Sequence, residues 1–181
     1  MIPLIIVLVI IFLLLGLKLM SGFKRCPDGK IMVIYGALGN GQSSKCVTHG
    51  WGYVVPVIQS FAFLDLAPFD LDIHLIHALS KDNLRIFFKG TFQLQISVEP
   101  QLMQNAAERL LGQSQQFIDD LARTVIFGQL RLAVAAVNSA DISANNQNLL
   151  DDIRQNCRTE LGKIGLWLID IQLNDTGLEL S

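Results

Sequence analysis

Between Met1 and Leu17 the chain carries no charged side chain and reads MIPLIIVLVIIFLLLGL. No other feature limits the fold so sharply, because a run this apolar has to leave water. Lys18 interrupts it, and apolar character resumes through Leu19, Met20 and Phe23 before Lys24 and Arg25. As a helix, Ile2 to Phe23 would cover roughly 33 Å at about 1.5 Å per residue, enough for a ~30 Å hydrocarbon core. Ile2, Leu8, Phe12, Leu17 and Phe23 then form the anchor, and Lys18 snorkels its ammonium toward the headgroups. A cleaved signal peptide needs a positive stretch before the run and a small-residue cleavage site after it. Neither is present: the exit reads Lys18-Leu-Met-Ser-Gly-Phe-Lys-Arg25. A retained anchor over residues 1–24 is the expectation. A shallow hairpin or monotopic insertion is the alternative, which Pro3 and Gly16 favour.

Lys18, Lys24, Arg25 and Lys30 all follow the run and only the terminal amine precedes it. The positive-inside rule therefore predicts a single-pass protein of the cell membrane whose domain, residues 25–181, faces the cytoplasm. Cys26, Cys46 and Cys157 form no Cys-x-x-Cys pair, which excludes a disulfide-dense scaffold or a zinc ribbon and suits a reducing compartment. With 51% apolar and 17% charged residues the chain is not disordered, and a net charge of −2 gives no support to a nucleic-acid partner.

Beyond the anchor the pattern first has a period of two. Ile31–Tyr35 reads as a strand, followed by a turn over Gly36–Gln42, and Gly50, Gly52 and Pro56 keep the next strands short or bent. Phe69, Leu71, Ile73 and Leu75 alternate with Asp70, Asp72, His74 and Ile76. The clearest strand places Leu84, Ile86, Phe88, Gly90, Phe92, Leu94, Ile96 and Val98 on one face, as in an antiparallel sheet with one face packed and one wet.

The period then becomes 3.6. Pro100 opens a helix to Leu111 with Gly112 as its stop. Ser114 caps a second helix to about Val137, with Phe117, Ile118, Leu121, Val125, Ile126 and Leu132 as its stripe. A third, from about Asn146 to Gly162, buries Leu149, Leu150, Ile153, Cys157 and Leu161. Leu166–Leu173 reads as a closing strand. Strands, then helices, then a strand make an α+β fold.

Chemistry is sparse. His74-x-x-His77 would set its rings on opposite faces of a regular strand, one at the surface and one half-buried, so no metal site is expected. Gly36-x-x-Gly39-x-Gly41 lacks the Gly-Lys-Ser/Thr ending and a following helix, and reads as a hairpin turn rather than a phosphate loop. No nucleophile elbow or carboxylate pair stands out, and Asp119-Asp120 and Asp151-Asp152 read as solvated helical positions. No catalytic residue, cofactor or metal is therefore assigned. Cys157 falls on an apolar stripe and reads as core. Cys26, beside Lys24 and Arg25 at the membrane exit, is a candidate for lipidation, with a plain exposed thiol as the alternative.

The order of elements resembles the flotillins of the SPFH (Band 7) superfamily, with stomatin and prohibitin. The stretch Lys24-Arg-Cys-Pro-Asp-Gly-Lys-Ile-Met-Val-Ile-Tyr-Gly36 is similar to their opening strand. Thr48-His-Gly-Trp-Gly-Tyr-Val-Val-Pro-Val-Ile-Gln59 resembles their Gly-Gly-x-x-Phe/Val-Val-x-Pro-x-x-Gln. Ser80–Gly90 resembles a sheet strand, Leu110-Leu-Gly112 the family's turn before a helix, and Leu161-Gly-Lys-Ile-Gly165 with Leu166–Gln172 its closing strand. The acidic segment before the third helix departs, appearing as Asp141-Ile-Ser-Ala-Asn-Asn. Family members continue into a charged coiled coil whereas this sequence stops at Ser181, so a fragment or a minimal member is expected. The resemblance implies a non-enzymatic, membrane-anchored scaffold that forms homo-oligomers on the lipid bilayer and organises microdomains or complexes with other membrane proteins. A monomeric, membrane-tethered binding module and a membrane-bound enzyme are the rivals.

Overall fold

The computed structural model describes residues 22–37, 44–55, 58–143 and 147–178. The chain divides into two compact units, Met1–Asp65 and Leu66–Ser181. The architecture is α+β, with antiparallel sheets, a block of helices and a closing strand.

In the first unit, β1 (Phe23–Arg25) pairs antiparallel with β4 (Trp51–Tyr53) as a two-stranded ribbon. β2 (Lys30–Gly36) is the centre of a separate sheet between β3 (Ser44–Val47) and β5 (Gln59–Asp65). β2 and β3 pair antiparallel, and most of the glycine-rich segment between them, expected to be a hairpin turn, lies outside the described residues. Ile31, Met32, Val33 and Ile34 are all buried, so β2 is covered on both faces. Met32, Ile34, Cys26 and Val54 form a core with Val47 and Phe61 against it. Gly52 packs on this core: a Cβ there would overlap the Met32 methyl, the flexible end of that side chain, and stand 3.3 Å from Ile34 Cδ1.

The second unit has one sheet in the order β6 (Phe69–Leu79), β7 (Arg85–Ile96), β8 (Leu166–Leu178). Leu71, Ile73, Leu75, Ile86, Phe88, Phe92, Leu94 and Ile96 are buried, in agreement with the alternation. Leu84 and Val98 are exposed because β7 ends inside them. α1 (Pro100–Arg109), α2 (Gln115–Ala136), the short α3 (Ser139–Ser143) and α4 (Gln147–Gly162) follow. α2 packs on β6 and α4, and α4 packs on β8. Ser114 caps α2 as expected, its Oγ accepting the Phe117 N–H at 3.3 Å. The buried stripe of α2 is Ile118, Ala122, Ile126, Leu130, Ala133 and Val134. Phe117 and Leu132, expected inside, are exposed. Two alanines on the true stripe let helix and sheet approach closely, which rotates the larger neighbours outward.

A polar clamp ties the β6–β7 turn to α3. Ser139 Oγ donates to Asp82 Oδ2 at 2.6 Å, Ser80 Oγ donates to Oδ1 at 2.5 Å, and the Ser139 N–H donates to Oδ1 at 3.1 Å. These bonds, the Ser139 hydroxyl foremost, hold the Asp82 carboxyl down from an ordinary 3.8 to about 2. A pKa depressed by folding contributes stability that is complete above the unfolded value and drains away as pH falls from about 4 toward 2. The melting midpoint of the native chain is therefore expected to fall more steeply across that window than that of Asp82→Asn. Parallel slopes for the two proteins would show that the clamp is not coupled to folding.

Candidate membrane-interface site

Of the anchor residues read from the sequence, Ile2, Leu8, Phe12, Leu17 and Lys18 lie outside the described residues. Among the described residues no helix is long and apolar enough to cross a membrane. Phe23 was expected to end the apolar helix, and it lies in β1 instead. Its strand pairing explains the change: the Phe23, Lys24 and Arg25 backbone is taken up by Tyr53, Gly52 and Trp51.

That pairing builds a surface. Directly opposed residues of an antiparallel pair share a face, and every second residue returns to it. Phe23, Arg25, Trp51 and Tyr53 therefore stand together, while Lys24 and Gly52 take the opposite face. All four of the first set are exposed, and among the three aromatics Trp51 is the most so at 69%. The Phe23 and Tyr53 rings meet with centroids 5.0 Å apart. Burial of Gly52 over Met32 leaves the aromatic face no direction but outward. On the other side Lys24 Nζ sits 5.6 Å from the Phe61 ring centroid and borders an open cleft of about 460 Å³ with Gly22, Tyr35, Gln59 and Ser60. Gln59 fixes one wall, accepting the Val55 N–H at 2.9 Å and donating to the Ala37 carbonyl at 3.1 Å. The arrangement offers aromatic rings and two cations.

Sequence reading missed Trp51 and Tyr53. Their strand has three residues, too few for periodicity, and the available signal was Gly52 between two aromatics.

Cys26 does not present an exposed thiol. It is 4% exposed, and its Sγ lies 3.2 Å from the Lys30 carbonyl and 3.4 Å from the Val47 carbonyl. An acyl chain at that sulfur would require the corner between β1 and β2 to open. Cys157 is core as expected, and burial pushes its thiol up to about 12. His74 and His77 are both exposed, against the expected half-buried partner. A bulge between Leu75 and Ala78, with His77 at φ 57°, inserts one extra residue and shifts the parity that separated the two rings. Among the described residues no group of three or more His, Cys, Asp or Glu could hold a metal ion.

Flotillin-like protein FloT of Bacillus subtilis (strain 168) is 25% identical over 186 residues, which cover 96% of this chain. The match takes in only 36% of that relative's length. The sequence also matches the SPFH domain / Band 7 family over residues 24–179, from the first strand of the ribbon to the end of the closing strand. The chain belongs to the SPFH domain / Band 7 family.

Proposed function

We propose that the protein is a membrane-anchored, non-enzymatic scaffold that self-associates laterally and organises a membrane microdomain or membrane protein complexes. The apolar run before Phe23 crosses the bilayer once, and the residues after it lie on the cytoplasmic side. The observation that carries this reading is the outward aromatic face of β1 and β4, which begins at Phe23, directly after the run. Trp and Tyr concentrate at membrane–water interfaces, where the ring meets the acyl boundary and its polar edge meets water. Phe23, Trp51 and Tyr53 sit at that level, and Arg25 and Lys24 reach anionic headgroups at about 1 kcal/mol each. Kinship to a flotillin-like protein supports the same reading.

The fluorescence of Trp51 tests the interface. The chain has Trp51 and Trp167, so Trp167→Phe leaves one reporter in the full-length protein. In vesicles of brominated phosphatidylcholine and phosphatidylglycerol its emission is expected to be quenched at least twofold relative to unbrominated lipid. Emission indifferent to bromine would place the ribbon away from the bilayer and remove the main support for this function. Amine cross-linking in intact membranes is expected to give ladders of oligomers; monomers alone would favour a tethered binding module.

A further inference from the structure

α2 buries one side and exposes the other. Ile118, Ala122, Ile126 and Leu130 form its buried stripe, since residues three and four apart share a helix face. On the opposite side Phe117, Thr124, Gly128 and Ala135 follow at steps of seven, four and seven as an outward seam, and all four are exposed. Asp120 and Arg131 border the seam on one side, Leu121 and Leu132 on the other. The members of each pair are eleven residues apart, about three turns, so each pair keeps to one border. Phe117 is 46% exposed and Leu132 66%, although a helix packed on a sheet usually turns polar residues to water.

Gly128 lies in the interior of α2, where only proline is a poorer helix former. A Cβ there would meet nothing within 4 Å, so packing within the chain gives no reason for the glycine. Thr124 Oγ1 donates to the Asp120 carbonyl of its own helix at 2.8 Å, which satisfies the hydroxyl without an outside acceptor. Among the described residues neither the Asp120 carboxylate nor the Arg131 guanidinium takes part in an ion pair. Roughly 16 Å of helix, at about 1.5 Å per residue, keeps them from each other. Arg131, Thr124 and Gly128 instead border an open groove of about 400 Å³. The middle of the face is therefore small. Its two charges stand toward opposite ends of one border, and two leucines stand at matching levels of the other.

We infer that this face of α2 packs antiparallel on the same face of a second copy of the chain, about a two-fold axis level with residue 126. The inference rests on the self-association proposed above and names a surface for it. A two-fold axis makes the patch its own partner, so every contact occurs twice. Turning the helix end for end sets Thr124 opposite Gly128 of the second copy and Phe117 opposite its Ala135. The axis also brings each border to the same border. Asp120 then meets Arg131 of the second copy, and Leu121 meets its Leu132. Charge selects this occupant and this direction, because a parallel copy would lay the charged border of one helix against the leucine border of the other. Glycine at the centre lets the two helix axes approach to about 8 Å, the close end of the usual range. The contact closes on itself as a pair, and larger assemblies add a further surface to it.

The leucine border makes the test selective. Within one chain Leu121 and Leu132 are roughly 16 Å apart along the helix, beyond disulfide reach, whereas the pairing sets each beside the other's counterpart. In the full-length chain Leu121→Cys is combined with Leu132→Cys and oxidised in native membranes. The double variant is expected to give a covalent dimer at least fivefold more abundant than either single variant gives. Adding Asp120→Arg or Arg131→Asp to it is expected to lower that yield at least fivefold, and adding both to restore it within twofold. Asp120 and Arg131 are exposed, so the reversals are expected to leave the melting midpoint unchanged. Amine ladders from the unaltered chain, with no disulfide dimer beyond that of the single variants, would overturn the helix pairing and leave self-association standing. Absence of both the amine ladders and the disulfide dimer would remove both. A disulfide dimer indifferent to the reversals, or one that the double reversal fails to restore, would overturn the antiparallel pairing. A disulfide from either position to a different protein would give the face another occupant and overturn the inference.

Discussion

Gly165→Val is expected to unfold the helix-bearing unit at ordinary temperature or bring it close to doing so. Gly165 sits between α4 and β8 at φ 86°, in the left-handed region. A Cβ there would overlap the backbone N, the Cα and the Cβ of Ala106 in α1. The turn is held from several sides. The Gly165 N–H donates to the Gly162 carbonyl at 3.0 Å, its carbonyl accepts the Ser97 N–H at 3.1 Å, and Asn105 Nδ2 donates to the Gly162 carbonyl at 3.1 Å. Backbone therefore meets backbone, and no flexible side chain can yield. The dihedral alone costs about 1–2 kcal/mol for a residue with a Cβ. Overpacking of a well-filled core adds about 1–3 kcal/mol or more. The total is a large share of a typical ~5–15 kcal/mol stability, and at roughly 2–4 °C per kcal/mol it lowers the melting midpoint by about 5 °C at the least. Gly112→Ala separates the two causes. Gly112 has a similar φ of 77° with nothing within 4 Å of its Cβ position, so only the dihedral cost applies. Equal losses for the two variants, read by circular dichroism melting, would show that the contact with Ala106 is not the source.

Leu8→Asp with Phe12→Asp is expected to release the full chain from the membrane. An aspartate near the centre of a spanning helix raises the insertion free energy by about 2.5–3.5 kcal/mol. Two of them add about 5–7 kcal/mol, a shift of roughly four orders of magnitude in partitioning at ~1.4 kcal/mol per decade. Carbonate washing should leave the unaltered protein in the pellet and bring the doubly charged variant into the supernatant. Leu8→Ala with Phe12→Ala keeps the run uncharged and should remain in the pellet. Retention of the aspartate variant would mean that residues 1–21 are not what holds the protein to the bilayer.

Much of the second unit was legible because long elements repeat their own pattern. β7 alternates over a dozen residues, so its buried face could be named before any partner was known. Pro100, Ser114 and Gly112 marked helix ends through requirements that are local to the backbone. The bulge at Leu75–Ala78 was not legible, since Ile76 and His77 suit either face until Phe88 and Ile86 fix the register opposite them. The stripe of α2 was misjudged at Phe117 and Leu132 for a related reason. Hydropathy ranks a phenylalanine above an alanine, whereas the close approach of β6 and α4 selected Ala122 and Ala133.

The candidate site divides in the same way. The uncharged run and the cations after it are local facts, and they carry the expectation of an anchor and its direction, while the likeness to the flotillin family lies in motifs spread from Lys24 to Gln172. The aromatic face and the burial of Cys26 depend on residues far apart in the chain. Phe23 became part of a surface because Tyr53 pairs with it, and Trp51 points outward because Gly52 is pressed on Met32. Periodicity is a property of a segment by itself, and it determined the elements. Exposure is a property of a segment and whatever covers it, so only the tertiary structure could decide which apolar residues make the core and which stay exposed.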